Sequence, residues 1–250
     1  MRITYTASLC YDSILSLVYP QSCVVCGRSV ESRALGTACS KCWRETMIFS
    51  GRETVCWKCG LQSRGSVPEA RREEVRCHRC DELEFTAARA CGMYEGALRA
   101  SVLSLKHRPN ICGRLVELLV ATQARHPLNK STLVIPVPLH AEREKERGFN
   151  QAALLSQKLA DASRLPFNNF SLVRTSHTER HRAGMDAMDR RKTVDKAFHV
   201  VHPGLVAGES VLLVDDVFTT GATVSSCAKA LVEAGAAEVF VLTIARPSYN

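Results

Sequence analysis

Two adjacent carboxylates, Asp215 and Asp216, end a run of four apolar residues, Val211 to Val214, and a loop rich in hydroxyls, Thr219, Thr220, Gly221, Ala222 and Thr223, follows almost at once. After it the chain turns apolar-periodic from Val224 to Ala234. A short apolar run bounded by turn residues reads as a buried strand of a parallel sheet, whose ligands bind beyond the strands' carboxyl ends. Backbone N–H groups of a small loop at the start of a helix cradle a phosphate. The two acids just before it are placed to take the hydroxyls of a sugar carried by that phosphate, directly or through Mg²⁺. The plainer alternative is a solvated strand end followed by a helix cap, and it leaves the order of parts unexplained.

The chain has no GxxxxGK[ST] and no GxGxxG, so neither a P-loop nor a dinucleotide fingerprint is written here. Two acids, a hydrophobic and an aromatic residue, then Thr-Thr-Gly-Ala-Thr resembles the phosphoribosyl-pyrophosphate (PRPP) binding motif of type I phosphoribosyltransferases.

A second chemistry lies near the amino terminus. Eight of the twelve cysteines fall in four CxxC turns: Cys23 and Cys26, Cys39 and Cys42, Cys56 and Cys59, Cys77 and Cys80. A CxxC turn offers two sulfurs to one ion, so four turns supply two closed four-thiolate zinc sites, structural because no position is left for water. Pairing first with second and third with fourth turn is the simplest arrangement; interleaved pairing uses the same residues. A thioredoxin-like dithiol competes, but the segment is polar, rich in arginine and has no surrounding βαβ pattern. His78, inside the fourth turn, is the less economical ligand. Cys10, Cys91, Cys112 and Cys227 read as small core residues.

Cations complete the inventory. Lys106 ends a helix predicted over Leu98–Leu105, where it can reach a pyrophosphate as a point charge or simply complement the helix dipole. Arg143 to Arg147 alternates base and acid, and Arg147-Gly148-Phe149-Asn150-Gln151 gives a cation, a hinge and two amides ahead of the next helix, as a loop closing over an anion requires. From Arg174 to Phe198 seven Lys/Arg stand against four Asp/Glu. That basic hood suits pyrophosphate or a nucleic-acid backbone, or is a charged loop without a ligand.

These residues need a scaffold. Apolar runs at Leu133–Val137, Val211–Val214, Val239–Ile244 and near Phe198–Val201 predict an α/β fold, a mostly parallel sheet flanked by helices. The expected organisation is an amino-terminal helix over 1–20, a double zinc-ribbon module over 21–86 with a polar mobile loop between Cys59 and Cys77, and the α/β domain over 87–250. The formal charge is +8, but eight thiolates and two Zn²⁺ lower it to +4, a weak warrant for nucleic acid. With no export signal, no apolar run of membrane length and metal-type cysteines, a reducing cytoplasm is expected.

The run PVPLH…R…RGFNQA, the LK before it, the cysteine-rich front and the end VLLVDDVFTTGAT…AGA…VLTIAR together resemble the ComF family of competence-protein-F-like proteins across most of residues 20–246. The resemblance implies a type I phosphoribosyltransferase fold with an amino-terminal zinc module, in bacteria, linked to DNA uptake in natural transformation. Ser176, His181 and Thr193 depart from the family's usual Arg, Gln and Asn. The implied chemistry is transfer of ribose-5-phosphate from PRPP with release of pyrophosphate. Asp215 and Asp216 would orient the ribose, Thr219 to Thr223 hold the 5-phosphate, and Lys106, Arg143 and Arg147 with Mg²⁺ stabilise the leaving group. The alternative is a non-catalytic PRPP sensor that binds single-stranded DNA and a DNA-uptake helicase. No acceptor pocket is recognisable in the sequence.

Overall fold

The computed structural model describes residues 21–63, 65, 67–175 and 197–248. The helix expected over 1–20, Cys10 and residues 176–196 of the basic hood lie outside them. Six strands and six α-helices are described: β1 Ala87–Met93, β2 Leu133–Pro136, β3 Leu172–Arg174, β4 Phe198–Val200, β5 Ser210–Val217 and β6 Glu238–Arg246, with α1 Ser40–Glu45, α2 Gly96–Leu105, α3 Gly113–Gln123, α4 Ala141–Arg147, α5 Gln151–Ser163 and α6 Ala222–Glu233.

β1, β6, β5 and β2 form one sheet in that order, and every pair in it is parallel. The two central strands are the two longest apolar runs, as strands buried on both faces must be. On one face Leu212, Val214, Phe240 and Leu242 pack with residues of α2, α3 and α5; on the other Val211, Leu213, Val239 and Val241 pack with Val224, Cys227 and Leu231 of α6. Cys91, Cys112 and Cys227 are buried, as core residues should be.

Two elements differ from expectation. β1 has three alanines and a glycine among its seven residues and no β-branched side chain, and its strand character comes from pairing with β6. Phe198–Val200 is a strand but not part of the main sheet: it pairs antiparallel with β3 and this ribbon covers α6. Its alternation of buried Phe198 and exposed His199 is that of a strand with one covered face.

Both cysteine-rich units are welded to the α/β domain. Residues after the first unit run beside β1: Phe49 N–H donates to Cys91 O at 2.9 Å and Met93 N–H to Met47 O at 2.9 Å. Thr46 Oγ1 accepts the Ala97 N–H at 2.8 Å, capping the start of α2. The buried Trp43 shares a core with Leu98 and Leu115. In the second unit Ala88 N–H donates to Lys58 O at 2.6 Å, and Glu84 N–H to Ser225 Oγ of α6 at 3.0 Å. The segment expected to be a mobile loop between Cys59 and Cys77 is partly built, with a 3₁₀ turn over Glu69–Glu74 and a 2.7 Å bond from Trp57 N–H to Val75 O.

Candidate PRPP site and its zinc-ribbon wall

The acid pair stands at the carboxyl edge of β5, and alternation along the strand sends its side chains to opposite faces. Asp216 lies on the α5 side, where its Oδ2 accepts from Gln151 Nε2 at 3.3 Å. Asp215 lies on the α6 side, near Cys227. Burial pushes the Asp215 carboxyl up to about 7; the charge of Asp216 adds to this, and the Asp216 N–H, donating to Asp215 Oδ1 at 2.8 Å, partly offsets it. An enclosed carboxylate short of donors is poised to take a cation or hydroxyls.

Beyond Phe218 the chain turns sharply. Gly221 has φ +82°, a left-handed value, and a Cβ there would stand 2.8 Å from Phe218 Cζ and 3.2 Å from Leu83 Cδ1. Only glycine fits that turn without strain. Helix α6 begins at Ala222, so the first-turn N–H groups at Ala222 and Thr223 have no intrahelical acceptor, and they sit beside the exposed Thr219 and Thr220. All five residues of the predicted phosphate loop therefore meet at one helix start, adjoining the acids.

The stretch around Arg147 is more built than a hinge. Residues 141–147 form α4, closed by Gly148 at φ 78°, and Asn150 caps α5 through Ala152 N–H at 2.9 Å while its Nδ2 holds Val137 O at 3.0 Å. Gln151, 8% exposed, takes Arg147 Nη1 on its Oε1 at 3.0 Å and gives its Nε2 to Asp216. Arg147, Gln151 and Asp216 thus form one hydrogen-bonded chain from α4 to the acid pair. Arg143 is half-buried on the same short helix. Lys106, half-buried, caps α2 through its backbone, and no hydrogen bond or ion pair joins it to the acids or the loop among the described residues.

The eight cysteines of the CxxC turns gather into two sets: Cys23, Cys26, Cys39 and Cys42, and Cys56, Cys59, Cys77 and Cys80, each with all sulfurs within 4.8 Å. That is the sequential pairing, and exposed His78 belongs to neither set. Sulfurs at the corners of a tetrahedron with zinc bonds of about 2.3 Å lie about 3.8 Å apart. The observed separations are 3.7 Å (Cys23 to Cys42), 3.6 Å (Cys26 to Cys39), 3.4 Å (Cys56 to Cys80) and 3.5 Å (Cys59 to Cys77). Residues and spacing therefore fit two structural zinc ions. Without metal the close thiols drive one another's titration apart: hydrogen bonding from Cys59 helps hold Cys56 down to about 4, while Cys59 itself is pushed far above its ordinary value.

The second zinc set forms a wall of the phosphate loop, which the sequence did not announce. A cavity of about 210 Å³ between them is lined by Cys59, Cys80, Leu83, Phe218, Thr219 and Arg246, among others. Arg246, 3% exposed at the end of β6, donates Nη1 to Cys59 O at 2.6 Å and places its guanidinium 5.4 Å from the Phe218 ring. Phe85 meets Phe218 edge-on at 5.9 Å. Gln151, read from the sequence as one of two amides in a closing loop, is fixed on Asp216. Arg246 is a site residue that sequence reasoning missed; the available signal was a charge closing an otherwise apolar strand.

The family model described as "Double zinc ribbon domain" matches residues 14–81. Competence protein F of Haemophilus influenzae is 40% identical over 135 residues, 53% of this chain and 58% of that protein, so the match spans little more than half of that relative. The DNA utilization protein YhgH of Escherichia coli O157:H7 is 30% identical over 239 residues, 92% of this chain and 99% of that protein. Among solved structures, glutamine PRPP amidotransferase from B. subtilis aligns over 57% of this chain and 30% of that one, with 22% identity and a TM-score of 0.40. A likeness of that degree leaves the functional reading to the site itself. End-to-end similarity to YhgH, the two four-cysteine sets and the ordered acid pair and loop on a parallel sheet carry one conclusion: the chain belongs to the ComF family, a parallel α/β domain with an amino-terminal double zinc ribbon.

Proposed function

We propose that the protein binds PRPP with Mg²⁺ at the carboxyl edge of β5 and serves in the handling of DNA taken up by the cell. The observation that carries the reading is the unbroken unit of buried strand, acid pair, left-handed Gly221 and helix start, where Ala222 N–H meets only Thr220 Oγ1 at 3.4 Å. The Thr219–Thr223 loop anchors the 5-phosphate, a remote grip whose binding energy serves the reacting end. Asp215 and Asp216 orient the ribose hydroxyls, and they and the PRPP phosphates are the natural ligands for Mg²⁺, which supplies charge stabilisation when bound. Gln151 fixes Asp216 and directs Arg147 toward the same space. If transfer occurs, positive charge develops at the ribose C1 and negative charge on departing pyrophosphate, which Arg147, Arg143 and Lys106 are the candidates to meet.

The DNA part of the reading draws on the relatives' names, competence protein F and DNA utilization protein. Single-stranded DNA and a DNA-uptake helicase are the partners proposed, in a cytoplasmic setting. No described helix is long and apolar enough to cross a membrane. The division into a ribbon module over 21–86 and a transferase-type domain from 87 is kept as a functional proposal.

Titration calorimetry with PRPP and Mg²⁺ tests the site: saturable binding is expected, and its survival in the Asp215→Asn, Asp216→Asn double variant would place the ligand elsewhere. Pyrophosphate release with purines, pyrimidines or anthranilate separates an enzyme from a sensor, binding without release favouring the sensor.

A further inference from the structure

A second cavity, apart from the candidate PRPP site, measures about 480 Å³ and lies between the segment joining the two zinc sets, the turn at Glu69–Glu74, β1 and the end of α3. None of its lining residues is shared with the cavity beside the phosphate loop. Its walls carry four arginines, Arg52, Arg72, Arg89 and Arg125, against two acids, Glu53 and Glu73.

The acids are committed to local structure. Glu53 receives Ser50 N–H at 2.7 Å and Gly51 N–H at 2.9 Å on its two oxygens, and Glu73 meets His126 Nε2 at 3.2 Å. None of the four arginines is ion-paired among the described residues. Two are held in place by carbonyls: Arg89 Nη1 donates to Trp57 O at 2.8 Å, and Arg125 Nη1 to Phe49 O at 2.8 Å. A guanidinium has five N–H donors, so such anchoring fixes the fork and leaves most donors unspent. Arg72 Nε is shut away from water with no acceptor, so the terminal Nη groups of Arg72 are the ones that can meet a ligand.

The same cavity has an aromatic side. Trp57 and His126 lie with ring centroids 5.4 Å apart, and Arg89 sits 4.9 Å from the Trp57 ring. Clustered unpaired guanidinium groups call for a compact anion, and the rings beside them for a flat partner. Ligand cavities of about 300–1,000 Å³ hold molecules of nucleotide size. We infer that this cavity binds a nucleoside monophosphate, phosphate on the Arg72 side and base against the Trp57 wall, at a site separate from the PRPP loop. A bare phosphate leaves the aromatic side unused, and a nucleoside leaves the arginines unpaired.

The test uses zinc-loaded full-length protein, titrated by calorimetry with AMP, GMP, CMP and dTMP. Adenosine, inorganic phosphate and a short oligothymidylate serve as comparisons. At least one monophosphate should bind at one per chain, at least tenfold tighter than adenosine or phosphate. Because a phosphoribosyl site can itself hold a nucleotide, the titration is repeated in the Asp215→Asn, Asp216→Asn variant, where binding should persist. Arg72→Gln should weaken it about tenfold with the zinc content unchanged. If that variant does not fold, hydrogen exchange of the unaltered protein serves, with AMP expected to protect residues 49–57 and 122–126. The inference is overturned if no monophosphate binds, if phosphate alone binds as tightly, or if only the oligothymidylate binds. It is equally overturned if binding disappears with the acid pair, or if Arg72→Gln folds and binds normally.

Discussion

Asp215 should weigh against the stability of the empty protein, and replacing it should show that cost directly. In the folded chain its carboxyl titrates near 7 against an ordinary 3.8, first because of burial and then because of Asp216. A raised acid means that the folded state holds a proton the unfolded state has lost, so stability falls as pH rises from about 4 to about 7 and stays low above it. At about 1.4 kcal/mol per unit, the shift from 3.8 to about 7 corresponds to at most about 4 kcal/mol at pH 8. Asparagine removes the charge but keeps a buried polar group, so roughly half of that is expected back, about 2 kcal/mol. In a chain of this size this raises Tm by about 4–8 °C. The assay is thermal unfolding of zinc-loaded wild type and Asp215→Asn from pH 5 to 8, without Mg²⁺ or phosphate compounds. The curves should lie close together at pH 5 and separate as pH rises, with the variant more stable. Mg²⁺ with PRPP should then reverse the order at pH 8 by stabilising the wild type alone. Parallel Tm profiles would show that Asp215 is not held in an enclosed, charge-opposing setting, and the reasoning would fail.

Other consequences follow from neighbouring contacts. Arg246→Met removes both the bond to Cys59 O and the contact with Phe218, so PRPP affinity should fall at least tenfold while zinc content stays at two; unchanged affinity would show the wall is not needed. Gly221→Ala places a Cβ in a left-handed turn 2.8 Å from Phe218 Cζ and should cost about 1–3 kcal/mol with loss of PRPP binding, checked by unfolding and titration. Elemental analysis should give about two zinc ions per chain, and Cys56→Ser with Cys80→Ser should leave about one and weaken PRPP binding, since that set backs the phosphate loop.

The candidate site and the cysteine sets were legible in the sequence because their parts are local. A strand, two acids, a loop and a helix start occupy thirteen consecutive residues, Val211 to Thr223, and CxxC spacing alone announces metal. Central strands were legible for a related reason: continuous apolar runs have few places to go except between two layers of helices. Strand β1 and the antiparallel β3–β4 ribbon were not, because their state depends on partners distant in the chain, β6 for one and α6 for the other.

Only the tertiary structure decided what lies around the acids. Spacing cannot say that Asp215 and Asp216 face opposite sides of the sheet toward different helices, or that Gln151 bridges Arg147 to one of them across 65 residues. Nor can it say that Arg246 ties a zinc-binding turn to the phosphate loop across 187 residues. Sequence therefore determined which groups are the candidates for chemistry, since that depends on residue type and short-range order. Folding determined which groups enclose, align and burden them, since long-range proximity depends on how sheet, helices and ribbons close on one another.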